Sequence, residues 1–211
     1  MTSQIEMARA ERAEFTRFLA TLTPGQWDAP TLCPKWSVKD VVAHVISYEE
    51  LGTVGLARRF VRGRVVNANQ VGVEEYSTLT PAQLLEFLRA HQQPHGLTAA
   101  FGGMIALVDG MIHQQDIRRP LGLPRTIPEE RLRRVLQLTA RNPRLGVPAR
   151  IRGLRLRAND IQWARGRGAE VTGPGEALMM AMAGRHAALA ELSGDGLPTL
   201  AARLGRRRDA G

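Results

Sequence analysis

Asp109, His113 and Asp116 are the residues of this chain best placed by type and spacing to do chemistry together. They lie in the stretch VDGMIHQQDIRRPLG, residues 108–122. On a helix, Asp109 and His113 are i, i+4 neighbours and Asp116 follows by three, so all share one face, with neighbouring Cβ atoms about 5–6 Å apart. A carboxylate, an imidazole and a second carboxylate can then enter one cavity. A second imidazole would complete a site of two histidines and one carboxylate with a fourth position open, the pattern of catalytic zinc. His44 is the candidate. Its helical neighbours Asp40, Val41 and Tyr48 put it at the edge of an apolar stripe. A ligating histidine also needs an acceptor for its other ring nitrogen, and Asp116 is spaced to serve His113 in that way. The plainer alternative is that each histidine is a polar side chain with an ordinary hydrogen bond, as we read His91, His95 and His186.

Arg118 and Arg119 follow directly. They could bind an anionic ligand in bidentate fashion, or simply finish a helix with the charge its dipole favours. Cys33 is the single cysteine, so no intrachain disulfide can form. It reads as a half-buried loop residue, with no cationic partner for a reactive thiol evident nearby. No Ser-His-Asp or Cys-His arrangement stands out, so no catalytic group is expected beyond the metal site.

Helices must position these residues. The sequence predicts one over 3–22, a loop rich in Trp and Pro, and a second helix that Ser37 caps and that runs on to about Arg62, with Gly63 as its stop. Thr80 caps a third, with Pro81 at its first position, and Pro94 ends it. The fourth runs from about Leu97 to Arg118. Gly102 and Gly103 weaken its start, or allow close approach by a neighbouring helix or ligand. A fifth lies near 128–141. Beyond it, ARIRGLRLRAND and IQWARGRGAEVTG alternate apolar and polar residues, which predicts a small antiparallel sheet with its arginines outward. A long helix from Pro174 follows, and then a frayed tail. Amphipathic helices of this kind bury their stripes as a four-helix bundle. The expected organisation is a metal-binding bundle over 1–125, a connecting helix with a small α+β region over 126–205, and a basic tail over 206–211.

Composition narrows the class. The chain has 211 residues, 44% of them apolar, and a formal charge of +9, which is globular rather than disordered. Only Lys35 and Lys39 among the 29 basic residues are lysines, a codon preference for Arg rather than a functional signal. With 5% aromatics there is little to stack on single strands. No zinc-finger or helix-turn-helix spacing is present, so specific nucleic-acid binding is not expected. No apolar run approaches the ~20 residues of a membrane span. A soluble, cytoplasmic monomer or homodimer is expected.

The residues also carry a resemblance. CPKWSVKDVVAHV resembles the W-[ST]-x-x-[DE]-x-x-x-H segment of the DinB-like four-helix superfamily, above all its mycothiol-dependent maleylpyruvate isomerase family of actinobacteria. DGMIHQQDIRRPLG resembles the second metal motif, E-x-x-x-H-x-x-D, and the stretch from Gly153 resembles the family's C-terminal portion. The resemblance implies a mainly α fold: a DinB-like bundle with a small C-terminal α+β appendage. It implies His44, Asp109 and His113 as ligands of a divalent metal, zinc first, with Asp116 orienting His113. It further implies mycothiol as co-substrate, and thiol transfer to, or cis–trans isomerisation of, a small electrophile. Asp109 departs from the family's Glu and is one methylene shorter. That keeps open a non-catalytic metal- or ligand-binding stress module. A nucleic-acid-binding protein is the remaining alternative.

Overall fold

In the computed structural model, which describes residues 2–63 and 67–205, the chain divides into two compact units, Met1–Pro124 and Arg125–Gly211. Arg64 and the basic tail lie outside the described residues.

The first unit is built on α1 (Gln4–Leu19), α3 (Val38–Ile46), α6 (Pro81–Ala90) and α7 (Ala100–Leu121). In this ring α1 and α3 each pack against both α6 and α7, which makes a four-helix bundle. Short capping boxes start three of the four: Ser3 with Glu6, Ser37 with Asp40, and Thr80 with Gln83. Phe15, Leu19, Val38, Val42, Leu84 and Ile117 fill the core. A short α2 (Pro24–Trp27) follows α1, and α4 (Thr53–Arg62) and α5 (Ala68–Tyr76) fill the connection between α3 and α6.

The second helix therefore stops sixteen residues before Arg62, and α4 is separate. The cause is polar. At Ser47 both the amide and the hydroxyl turn back to the His44 carbonyl, at 3.2 and 2.9 Å. Glu49 then turns into the bundle, where Arg12 meets it at 2.5 Å and the His95 amide at 3.0 Å, with both charged side chains almost fully buried. A buried charge must be paired, and this pairing fixes where α3 ends.

The start of α7 is also irregular. Phe101, Gly102 and Gly103 all have positive φ, and regular helix begins only after them. A Cβ at Gly103 would lie 2.7 Å from Ile5 Cδ1 and 3.3 Å from Ala8 Cβ, so the missing side chain lets α1 approach closely. Gly102 meets no such constraint.

In the second unit α8 (Glu129–Thr139) and α9 (Val147–Arg150) precede β1 (Leu154–Ala158), β2 (Ala164–Gly166) and β3 (Ala169–Gly173). The strand order is β2-β1-β3. β1 pairs antiparallel with β2 but parallel with β3, so the sheet is mixed rather than antiparallel. Arg155 and Arg157 face outward and meet Glu170. The expected long last helix is interrupted: α10 (Gly175–Met182) ends before Gly184, whose φ is +98°, and a 3-10 turn covers His186–Glu191. A further helix, α11 (Leu197–Gly205), not expected from the sequence, buries Leu200 and Leu204 and takes in the first two residues of the expected frayed tail. No helix among the described residues is long and apolar enough to cross a membrane.

Phe101 is 76% exposed and sits at φ +55°, a region that costs a side-chain-bearing residue roughly 1–2 kcal/mol. Phe101→Gly is expected to raise the melting temperature, because it relieves that strain and gives up little burial. Gly103→Ala is expected to lower it by strain and by collision with Ile5. Thermal unfolding followed by circular dichroism reads both; opposite signs would overturn this account of the turn.

Candidate metal centre

Two helices and one loop make the site. α3 carries His44, held in register by the Ser37 cap. α7 carries Asp109, His113 and Asp116 on one face, as their spacing requires. His44 and His113 meet edge to face, with ring centroids 4.8 Å apart at 79°. The Asp109 carboxylate lies between them: Oδ2 is 3.6 Å from His44 Nε2 and Oδ1 is 3.4 Å from His113 Nε2. Both histidines are buried, whereas the Asp109 side chain keeps 38% of its exposure. The open side of the cluster is therefore at Asp109.

Behind His113 stands Asp116, with no exposed side-chain surface. Its Oδ2 is 2.9 Å from His113 Nδ1. His113 thus turns one nitrogen to each acid, Nε2 to Asp109 and Nδ1 to Asp116. The loop before α3 closes this back side. Cys33 Sγ donates to Asp116 Oδ2 at 3.3 Å and lies 3.8 Å from His113 Nδ1. Trp36 covers His44 at a ring separation of 5.0 Å and donates its indole N–H to Gln70. Pro120 explains how the loop is attached. Proline has no amide hydrogen to offer the carbonyl four residues back, which here is Asp116. The Leu32 amide donates to that carbonyl instead, at 3.0 Å.

Electrostatics follow from the geometry. Burial alone would raise the Asp109 carboxyl. Attraction to His113 and His44, with their hydrogen bonds, outweighs it and holds Asp109 well below the carboxylate range. Burial alone would lower His113. The Asp109 carboxylate, with hydrogen bonds to Asp109, Asp116 and Cys33, outweighs it and holds His113 well above the usual imidazole range.

The donor set suits a divalent cation. His44, Asp109 and His113 can each turn one ligand atom to a common point, all within 4.8 Å of one another. Tetrahedral zinc ligands at about 2.0–2.1 Å lie roughly 3.3–3.4 Å apart; here the contacts of 3.4 and 3.6 Å run from His113 and His44 to the two different oxygens of Asp109.

The structure brings His44, Asp109, His113 and Asp116 together. It does not bring Arg118 and Arg119 to them. At about 100° per residue these two sit some 120–140° around α7 from His113. The Arg118 guanidinium lies 3.7 Å from the centre of the Phe18 ring and donates to the Leu123 carbonyl at 3.1 Å. Sequence reasoning also set aside Cys33 and Trp36. The helix-interior Pro120 was the available signal, since its orphaned carbonyl needs a donor from elsewhere.

The family model described as "Mycothiol maleylpyruvate isomerase N-terminal domain" matches residues 8–95. The match spans under half of the chain. The match takes in Cys33, Trp36 and His44 and ends before Asp109. Two crystal structures are similar to the chain over 92% of its length and 96% of theirs: a mycothiol-dependent maleylpyruvate isomerase, 16% identical, and a histidine-to-alanine mutant of it, 15% identical, each with a TM-score of 0.61. At that identity the likeness concerns the fold alone, a helical bundle followed by a small α+β unit. None of the curated proteins matches the chain.

The electrostatics predict a pH response of the metal-free protein. The raised His113 contributes stability that is fully present below its ordinary value of 6.5 and lost as pH rises through its folded value. The depressed Asp109 contributes stability that is present above its ordinary 3.8 and lost as pH falls through its folded value. Stability from the pair is thus greatest between these two ordinary values. Imidazole NMR titration is expected to show His113 titrating above the usual range, and Asp109→Asn is expected to bring it down. An unchanged His113 in Asp109→Asn would show that Asp109 does not hold its proton.

Proposed function

We propose that the chain is a divalent-metal-dependent, mycothiol-dependent enzyme acting on a small electrophile, by thiol transfer or by cis–trans isomerisation. The convergence of His44 Nε2, His113 Nε2 and Asp109 on one partly open point carries this reading. The family match over residues 8–95 and the fold of the two isomerase structures support it. Zinc is the first candidate for the cation, since two imidazoles and a carboxylate with an open position are its catalytic ligand set. When bound there, a divalent cation would favour the thiolate form of a small thiol, which is the nucleophilic form.

The residues of the chain have separable parts in this reading. His44 and His113 present Nε2 from two helices. Asp109 supplies the anionic ligand at the open side, where a second molecule can approach. Asp116 keeps the proton of His113 on Nδ1 and leaves Nε2 to face Asp109, because a ring nitrogen that donates to a carboxylate cannot also be the ligand. No side chain need act as nucleophile. In isomerisation, the thiolate sulfur adds to one carbon of a conjugated double bond, leaving a single bond that can rotate. The displaced electron pair is held on the conjugated group; its return expels the same thiolate, restores the double bond in the other geometry and regenerates the thiolate. In transfer, a proton ends the addition and the C–S bond is kept.

Protein purified without chelator is expected to hold about one equivalent of metal by elemental analysis, and His44→Ala/His113→Ala almost none. Mycothiol offered with a panel of conjugated electrophiles is expected to be consumed or to isomerise them, with other cellular thiols much slower. Equal, negligible metal in wild type and double mutant would remove the metal. A full site inert to every thiol and electrophile would point to a binding module instead.

A further inference from the structure

We propose that Cys33 is a positioning residue of this centre, acting on His113 through Asp116 rather than as a nucleophile or a ligand. The proposal rests on the metal reading for its effect on affinity; the contact itself does not depend on it. A single oxygen, Asp116 Oδ2, takes both the Cys33 thiol at 3.3 Å and His113 Nδ1 at 2.9 Å. Asp116 is fully buried, and a buried carboxylate must be met by donors. His113 and Asp116 both belong to α7, three residues apart. The Cys33 thiol reaches the same oxygen from a different part of the chain and so ties it to the loop, with the His113 ring turned Nε2 toward Asp109.

The loop is built to hold that thiol. The Cys33 amide donates to Thr31 Oγ1 at 3.1 Å, and Thr31 Oγ1 donates to the Trp36 carbonyl at 2.8 Å. Leu32 is tied to the Asp116 carbonyl at 3.0 Å. Ser37, next along, caps the helix that carries His44. One segment therefore braces both histidines, Trp36 against His44 and Cys33 against the support of His113.

Cys33, His113 and Asp116 also lie close enough to one another to be considered as ligands themselves. Distance argues against it. The 2.9 Å between His113 Nδ1 and Asp116 Oδ2 is a hydrogen bond, shorter than the roughly 3.3 Å between two ligands of tetrahedral zinc. The nitrogen used there is also the one turned away from Asp109.

The test compares wild type, Cys33→Ser and Cys33→Ala. Zinc affinity is measured by competition with a chromophoric chelator, cobalt substitution is followed spectroscopically, and the His113 Nδ1–H resonance is followed in metal-free protein. Cys33→Ala is expected to weaken zinc about tenfold, the low end for a residue behind a ligand. Cys33→Ser, which keeps a donor, is expected to stay within about threefold of wild type. The cobalt spectra are expected to lack a thiolate charge-transfer band. An unchanged Cys33→Ala, a Cys33→Ser as weak as Cys33→Ala, or a thiolate band in wild type would overturn the proposal. Should wild type take up no zinc, the metal reading fails separately and the Nδ1–H resonance decides. Slow exchange in wild type and Cys33→Ser but not in Cys33→Ala upholds the proposal, and equal exchange in all three overturns it.

Discussion

A carboxylate with no exposed surface, that of Asp116, is the constraint on which the rest of the centre depends. Removing such a group from water is costly unless donors meet it. Here the donors come from α7 itself, through His113, and from the distant loop, through Cys33. The backbone of the same residue adds a third tie. Pro120 leaves the Asp116 carbonyl without its helical donor, and Leu32 supplies one. The loop that must reach Asp116 is the loop that starts α3 and so sets the height of His44. Satisfying one buried acid thus fixes the relative placement of both histidines.

The second acid on the same face has a different role because its surroundings differ. Asp109 is partly exposed and stands between two imidazole Nε2 atoms. Asp116 is enclosed and stands behind one Nδ1. Without a cation, the cluster offsets the Asp109 charge with the proton on His113, which is why one group is held low and the other high. A cation held by Nε2 of His113 requires that proton to leave, so affinity for it rises with pH. Asp109, one methylene shorter than Glu, stands between the two rings.

The bundle was legible from helical periodicity and caps, since Ser37 and Thr80 each start a helix in the expected way. The common face of Asp109, His113 and Asp116 followed from spacing alone. The end of α3 did not. The apolar repeat runs on past Ile46, and the break is made by a buried Arg12–Glu49 pair whose partners are 37 residues apart. The direction of β3 was hidden for a similar reason: alternation marks a strand but carries no information about which neighbour it joins. The helix α11 was not assigned from sequence: its apolar positions Leu200 and Leu204 make too short a stripe to mark a helix, and Leu204 opens the stretch expected as a frayed tail. Cys33 was unreadable as a neighbour of Asp116, 83 residues away, except through the carbonyl that Pro120 leaves open.

The most direct test of this account is a crystal structure of the zinc-loaded protein with anomalous diffraction at the zinc edge. The account predicts one peak within coordination distance of His44 Nε2, His113 Nε2 and the Asp109 carboxylate, with the Nδ1–Asp116 contact preserved behind it. A peak on the Nδ1 side of His113, between Cys33 and Asp116, or none near either histidine, would contradict it.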